Sequence, residues 1–129
     1  MIWIDTDRLI LRTFHPDDWP QLQALAVAYQ ASDEARFEPP WPTAEEDVKG
    51  MAAWFAGGDD YLAVCLELAG TLIGMVAIEP RADRAGARNL GYVFHPGYAG
   101  KGYATEACRA ALAYLFDTLG IALILTGTH

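Results

Sequence analysis

Gly100, Lys101 and Gly102 stand inside the run HPGYAGKGYATEA, residues 95–107, where turn formers give way to helix formers. Glycines at this density mark a backbone that something approaches closely. A helix starting just after them presents unpaired backbone N–H groups and a partial positive charge. The chemistry of such a turn is anion binding, and phosphate suits it best. The phosphate loop G-x-x-x-x-G-K-[ST] does not fit, because Gly102 follows Lys101 where a hydroxyl residue is required. The dinucleotide fingerprint fails at Thr105, where a third Gly or Ala is needed. A plain glycine turn entering a core helix accounts for the loop alone equally well.

Other residues with acid–base chemistry stand at strand ends. Glu79 closes the apolar run TLIGMVAIEP and is either a general base or a solvated carboxylate. Histidine is the side-chain type suited to proton transfer at physiological pH, and His95 precedes Pro96, so it is either a proton carrier or a cap on the turn. His15, before Pro16, has the same setting and a weaker claim.

The elements that must position these residues follow from periodicity. Residues 8–14, RLILRTF, alternate as a strand. Pro16, Asp17 and Asp18 open a helix whose apolar stripe is Leu22, Leu25 and Tyr29. FEPPWP, residues 37–42, is a rigid connector. A second helix is expected from an N-cap at Thr43, with Glu46 three residues on, to a stop at Gly57-Gly58. YLAVCLEL and TLIGMVAIEP form a hairpin through Ala69-Gly70, and RNLGYVFHP is a further strand after a polar loop. A helix over 103–119 carries the stripe Ala104, Ala107, Cys108, Ala111, Leu112 and Leu115. Gly120 ends it, and IALILT is a short apolar strand. The order β-α-α-β-β-β-α-β predicts an α+β (mixed α/β) fold, a mixed sheet with an antiparallel middle.

The 129 residues predict one domain over 1–129. A formal net charge of −8 argues against nucleic acid as a partner and is compatible with an amine-bearing substrate. Cys65 and Cys108 have no metal or redox spacing and read as two buried small hydrophobes; no metal is expected. The N-terminus lacks the pattern of a secretory leader, and no apolar stretch approaches the ~20 residues that cross a bilayer. The expectation is a cytoplasmic protein without a membrane partner.

LGYVFHPGYAGKGYATEACRAALAYLF strongly resembles the acetyl-CoA signature of the GNAT (GCN5-related) N-acetyltransferases, in the RimJ/RimL-like branch. TDRLILRTFHPDDWPQL and LIGMVAIEP resemble the same branch, in the same order. The family pattern Q/R-x-x-G-x-G/A falls on Ala99, Gly100, Lys101, Gly102, Tyr103 and Ala104, departing at Ala99. The resemblance implies that amides from Gly100 to Ala104 cradle the coenzyme's pyrophosphate, with Thr105 adding a hydroxyl. It implies that Tyr92, Val93 and Phe94 pair with the pantetheine arm, and that Val93 or Phe94 donates to the oxyanion. Glu106 is expected in the first helical turn, facing away from the phosphates. Acetyl-CoA is then the co-substrate, and a primary amine of a protein N-terminus or small molecule is the acceptor. Many relatives carry Glu where this chain has Asn89, which cannot serve as a base but can order a water. Phe37 and Trp41 fall where the family's substrate-side loop lies; they line the acceptor site or plug the core.

The resemblance also implies a further helix and hairpin beyond IALILT, so the chain is expected to be truncated after its fifth strand. The last strand would then expose an edge, which a homodimer would cover. The alternative to an active transferase is a non-catalytic coenzyme-A-binding or interaction module on a partial GNAT fold.

Overall fold

The computed structural model describes residues 2–32, 41–80 and 86–120, and the backbone of 123–126. One six-stranded sheet runs in chain order. Its strands are β1 (Trp3–Asp5), β2 (Leu9–Thr13), β3 (Tyr61–Leu66), β4 (Leu72–Ala77), β5 (Ala87–Phe94) and β6 (Leu123–Thr126). Neighbours are antiparallel from β1 to β5, and β6 joins β5 in parallel. The helices are α1 (Trp19–Gln30), α2 (Glu45–Ala56) and α3 (Tyr103–Ala113). The α+β arrangement expected from the sequence is the one found.

The differences are local. β1 was missed because three residues carry no readable period; it pairs on the outer side of β2, Trp3 opposite Arg12. The last strand is therefore the sixth, not the fifth. The α2 N-cap is Ala44 rather than Thr43, and no side chain caps it. The helix expected over 103–119 is α-helical only to Ala113 and widens into a π turn at Tyr114–Thr118. Cys65 is buried, but Cys108 is only half-buried. Among the described residues no helix is long and apolar enough to cross a membrane.

Helix α3 and the π turn after it cover one face of the sheet, packing Ala107, Ala111 and Leu115 on Leu9, Leu11, Leu62, Val64, Ile73, Val76 and Ile78. Helices α1 and α2 cover the other with Leu22, Leu25, Val48, Ala52 and Phe55, against Ala63, Cys65, Leu72 and Met75. Strands β3 and β4 are thus buried on both faces, which is why their sequences are almost continuously apolar. Full burial of each such Leu, Ile or Val is worth about 1.5–3 kcal/mol over exposure. A bulge interrupts the pair: Val64 lies opposite Gly74 and Cys65 opposite Leu72. Gly74 lets β5 come close, since a Cβ there would sit 2.6 Å from Phe94 Cδ2 and 2.7 Å from the Val93 carbonyl oxygen.

The entry to α1 is tied to β2 by charge. A 3-10 turn, Pro16–Asp18, is capped by His15, whose Nδ1 accepts from the Asp17 amide at 3.1 Å. His15 is thus a capping residue. Asp18 accepts two bonds from Arg12, both 2.9 Å, and one from the His15 amide at 2.8 Å. Burial alone would raise the Asp18 carboxyl, but Arg12 and the His15 amide hold it below its ordinary value. Asp18→Asn leaves the guanidinium without its counter-charge and is expected to cost about 3 kcal/mol, the lower end for a broken buried pair because Arg12 keeps some solvent. The depressed carboxyl adds stability that is complete above its unfolded pKa of about 3.9 and lost as pH falls through the lower folded value. Thermal melts from neutral to acid pH should show that acid-side loss in the wild type and a smaller one in Asp18→Asn.

Candidate functional site

After β5 the chain makes a second capped turn. His95 Nδ1 accepts from the Gly97 amide at 2.9 Å and starts the 3-10 turn Pro96–Tyr98. Gly100 and Gly102 follow with φ of 78° and 80°, a region where a side chain is strained. The first bond of α3 runs from the Glu106 amide to the Gly102 carbonyl at 3.0 Å. The amides of Tyr103, Ala104 and Thr105 therefore precede the helical ladder. They open on a cleft of about 390 Å³, within the range of small-molecule sites.

Nine of the ten residues expected at the coenzyme site line this cleft: Tyr92, Val93, Phe94, Ala99, Gly100, Gly102, Tyr103, Ala104 and Thr105. Lys101 does not; it is exposed, and its carbonyl is taken by Arg8. Ala104 is a correction to the helical stripe, since it faces the cleft while Ala107 and Ala111 face the core. Tyr29, read only as core, also reaches the cleft from α1.

The edge of β5 decides which amides are available. The Asn89 amide donates to the Glu79 carbonyl at 2.7 Å and the His95 amide to the Ile73 carbonyl at 2.8 Å. Ala77–Gly91 and Met75–Val93 fall in the same phase between them. By the alternation of an antiparallel ladder, the Val93 N–H points at β4, while the Tyr92 and Phe94 N–H groups point at the opposite edge. Strand β6 pairs there only from Ala87 to Leu90. Among the described residues the edge at Tyr92 and Phe94 meets no strand, and of the two amides expected to face an oxyanion only that of Phe94 points outward.

The acid–base candidates separate by face. Val93, Ala77 and Tyr61 lie on the α1/α2 side of the sheet, and alternation puts Glu79 and Asn89 there too, directly opposite each other. Glu79 accepts from the Tyr61 hydroxyl at 2.7 Å. Burial, and then the Glu79 carboxylate, push the Tyr61 phenol far up, so it stays a protonated donor. His95 lines the cleft, but its Nδ1 is committed to the cap, which leaves Nε2 carrying the proton in the neutral ring. In that tautomer His95 is a donor and not a base. Trp41 packs on Tyr29, ring centroids 5.9 Å apart, and on the α1/α2 core; it does not itself line the cleft. Phe37 lies outside the described residues.

A brace behind the loop was not read from the sequence. Glu106 turns away from the cleft and accepts from the Thr6 hydroxyl, the Arg8 amide at 2.9 Å and Arg8 Nε at 2.7 Å. Burial would raise the Glu106 carboxyl, but these three donors hold it below its ordinary range. Arg8 also donates from Nη1 to the Lys101 carbonyl at 2.9 Å and lies over the Tyr103 ring, 4.4 Å from its centroid. The contacts span about a hundred residues of sequence, and no local pattern signals them.

The acetyltransferase (GNAT) domain family matches residues 8–129. The uncharacterized N-acetyltransferase YnaD of Bacillus subtilis (strain 168) is 31% identical over 119 residues, covering 92% of this chain and 68% of YnaD. A GNAT-family acetyltransferase from Bacillus anthracis superposes with a TM-score of 0.85 at 27% identity, over 97% of this chain and 72% of that one. The ribosomal-protein-S5-alanine acetyltransferase of Vibrio fischeri superposes with a TM-score of 0.81, over 98% of this chain and 73% of that one; at 17% identity it shows the fold alone.

Proposed function

The chain belongs to the GNAT acetyltransferase domain family, and from that premise we propose that it is an acetyl-CoA-dependent N-acetyltransferase acting on a primary amine, of a protein N-terminus or a small molecule. One observation carries the reading: the edge of β5 at Tyr92 and Phe94, which meets no strand among the described residues, lines the same cleft as the open amides of Tyr103, Ala104 and Thr105. An extended arm with amide groups can pair with the strand edge, and a pyrophosphate can end on the helix N-terminus.

In the reaction the amine attacks the thioester carbonyl after losing a proton. The Phe94 N–H stabilises the oxygen on which charge develops; collapse of that tetrahedral adduct breaks the C–S bond, and the departing coenzyme thiolate takes up a proton from solvent. Glu79 takes the amine's proton through a chain of waters that Asn89 helps to order, since neither side chain lines the cleft itself, while Tyr61 holds the carboxylate in place. The acidic chain favours a cationic acceptor at long range. Free Cys65 and Cys108 are in keeping with a reducing cytoplasm. A homodimer pairing at β6 is the assembly this reading expects.

The second reading is a coenzyme-binding module without turnover, and Asn89 on the strand beside the cleft favours it. Calorimetric titration with acetyl-CoA tests the first half of the proposal, with one site per chain as the expected outcome. Thiol release in the presence of peptides with a free N-terminal alanine or serine tests the second. Binding without thiol release for any primary amine would select the module; no binding at millimolar acetyl-CoA would reject both.

A further inference from the structure

We infer that Arg8, itself held by Glu106, is a positioning residue for the coenzyme's phosphates: it fixes the orientation of the Lys101–Gly102 peptide so that the Gly102 N–H faces the cleft. The inference rests on the coenzyme reading above and deepens it.

The argument begins with the peptide unit. In a trans peptide the C=O and N–H point in opposite directions. The Lys101 carbonyl accepts from Arg8 Nη1 at 2.9 Å. Arg8 lies outside the cleft, in the groove between β1 and α3. With the carbonyl drawn to that side, the N–H of the same peptide turns the other way, toward the cleft that Gly102 also lines.

The loop needs such a constraint. Gly102 stands at φ 80°, and glycine occupies positive and negative φ about equally well. A flip of the Lys101–Gly102 peptide would carry Gly102 toward negative φ at little steric cost. It would also put a carbonyl oxygen where a phosphate oxygen should sit. Nothing in the glycine backbone forbids that state, so a bond from outside must select against it.

Arg8 is placed to do so by several independent contacts. Its Nε pairs with Glu106 Oε1 at 2.7 Å, and Glu106 Oε2 accepts from the Arg8 amide at 2.9 Å. The Thr6 hydroxyl donates to the same oxygen. The guanidinium lies on the Tyr103 ring. Its side chain is 45% exposed, so Arg8 contributes little to the core and its replacement leaves the packing in place.

The test compares two ligands on the full chain. Acetyl-CoA carries the pyrophosphate; acetyl-pantetheine carries the arm and thioester without it. Arg8→Met keeps the stem and removes the donors. It is expected to weaken acetyl-CoA binding by about 10- to 100-fold, the loss of one well-aimed amide to a charged ligand, while acetyl-pantetheine affinity stays within twofold. Arg8→Lys retains the charge beside Glu106 but cannot reach both partners as a fork; the same split is expected, and it serves where Arg8→Met does not fold. Unchanged acetyl-CoA affinity in the variants would overturn the inference and leave the proposed function standing. An equal loss for both ligands would also overturn it, in favour of general support of the fold. A wild type that binds neither ligand would remove the proposed function and this inference together.

Discussion

Replacing Ala104 by glutamate is expected to weaken acetyl-CoA binding by about 10³-fold while leaving the protein folded. Ala104 lines the cleft in the first turn of α3. A carboxylate there would lie roughly 4 Å from the bound pyrophosphate, and at an effective dielectric near 20 that separation costs about 4 kcal/mol per pair of like charges. At 1.4 kcal/mol per decade, this is close to three orders of magnitude in affinity. The helix itself gains, since a negative side chain in the first turn is favourable by about 0.3–1 kcal/mol. Loss of binding with an unchanged or raised melting temperature would thus separate ligand repulsion from unfolding. Gly102 is a poorer target for the same purpose. Its φ of 80° makes any side chain strained, and a Cβ there would lie 3.5 Å from Arg8 Nη2, which would draw a new carboxylate out of the cleft. Calorimetry on Ala104→Glu beside Ala104→Gln completes the test; equal losses in both would mean that bulk, not charge, excludes the ligand.

Glu79→Gln should reduce kcat by about 10²- to 10⁴-fold, the usual contribution of a positioned proton acceptor, with acetyl-CoA affinity unchanged. The amide is nearly isosteric, and its oxygen can still accept from Tyr61, so the cluster geometry survives. Only the capacity to take a proton is removed. Thiol release with an amine acceptor reads the rate, and calorimetry reads the affinity. A Glu79→Gln enzyme with wild-type turnover would move the proton acceptor elsewhere and return Glu79 to the role of a strand-end carboxylate.

Much of this architecture was legible because it is local. The stripe Leu22, Leu25, Tyr29 and the apolar runs of β3 and β4 are written at periods set by helix and strand geometry, and those residues are buried. The glycine loop was legible for the same reason: a strand end, two glycines and a helix start are adjacent in the chain. His15 and His95 could be read as caps because a histidine two residues before an amide needs no tertiary contact to reach it. Ala104, expected both in the helical stripe and in the coenzyme loop, lines the cleft: its spacing from Ala107 and Ala111 satisfies a stripe, yet the first turn of α3 stands at the cleft.

By itself the sequence determined every element but the three-residue β1, their order and the place where an anion can meet a helix, because each depends on residues within one or two turns of one another. Only the tertiary structure decided what those elements do together. It put Arg8 on the Lys101 carbonyl and Glu106 on Arg8, across 93 and 98 residues of sequence. It set Tyr61 against Glu79. Through the phase of the β4–β5 ladder it turned Phe94 rather than Val93 toward the open edge. The physical reason is the same in each case: strand register and long-range side-chain bonds are fixed by packing on both faces of the sheet, and no stretch of sequence carries that information alone.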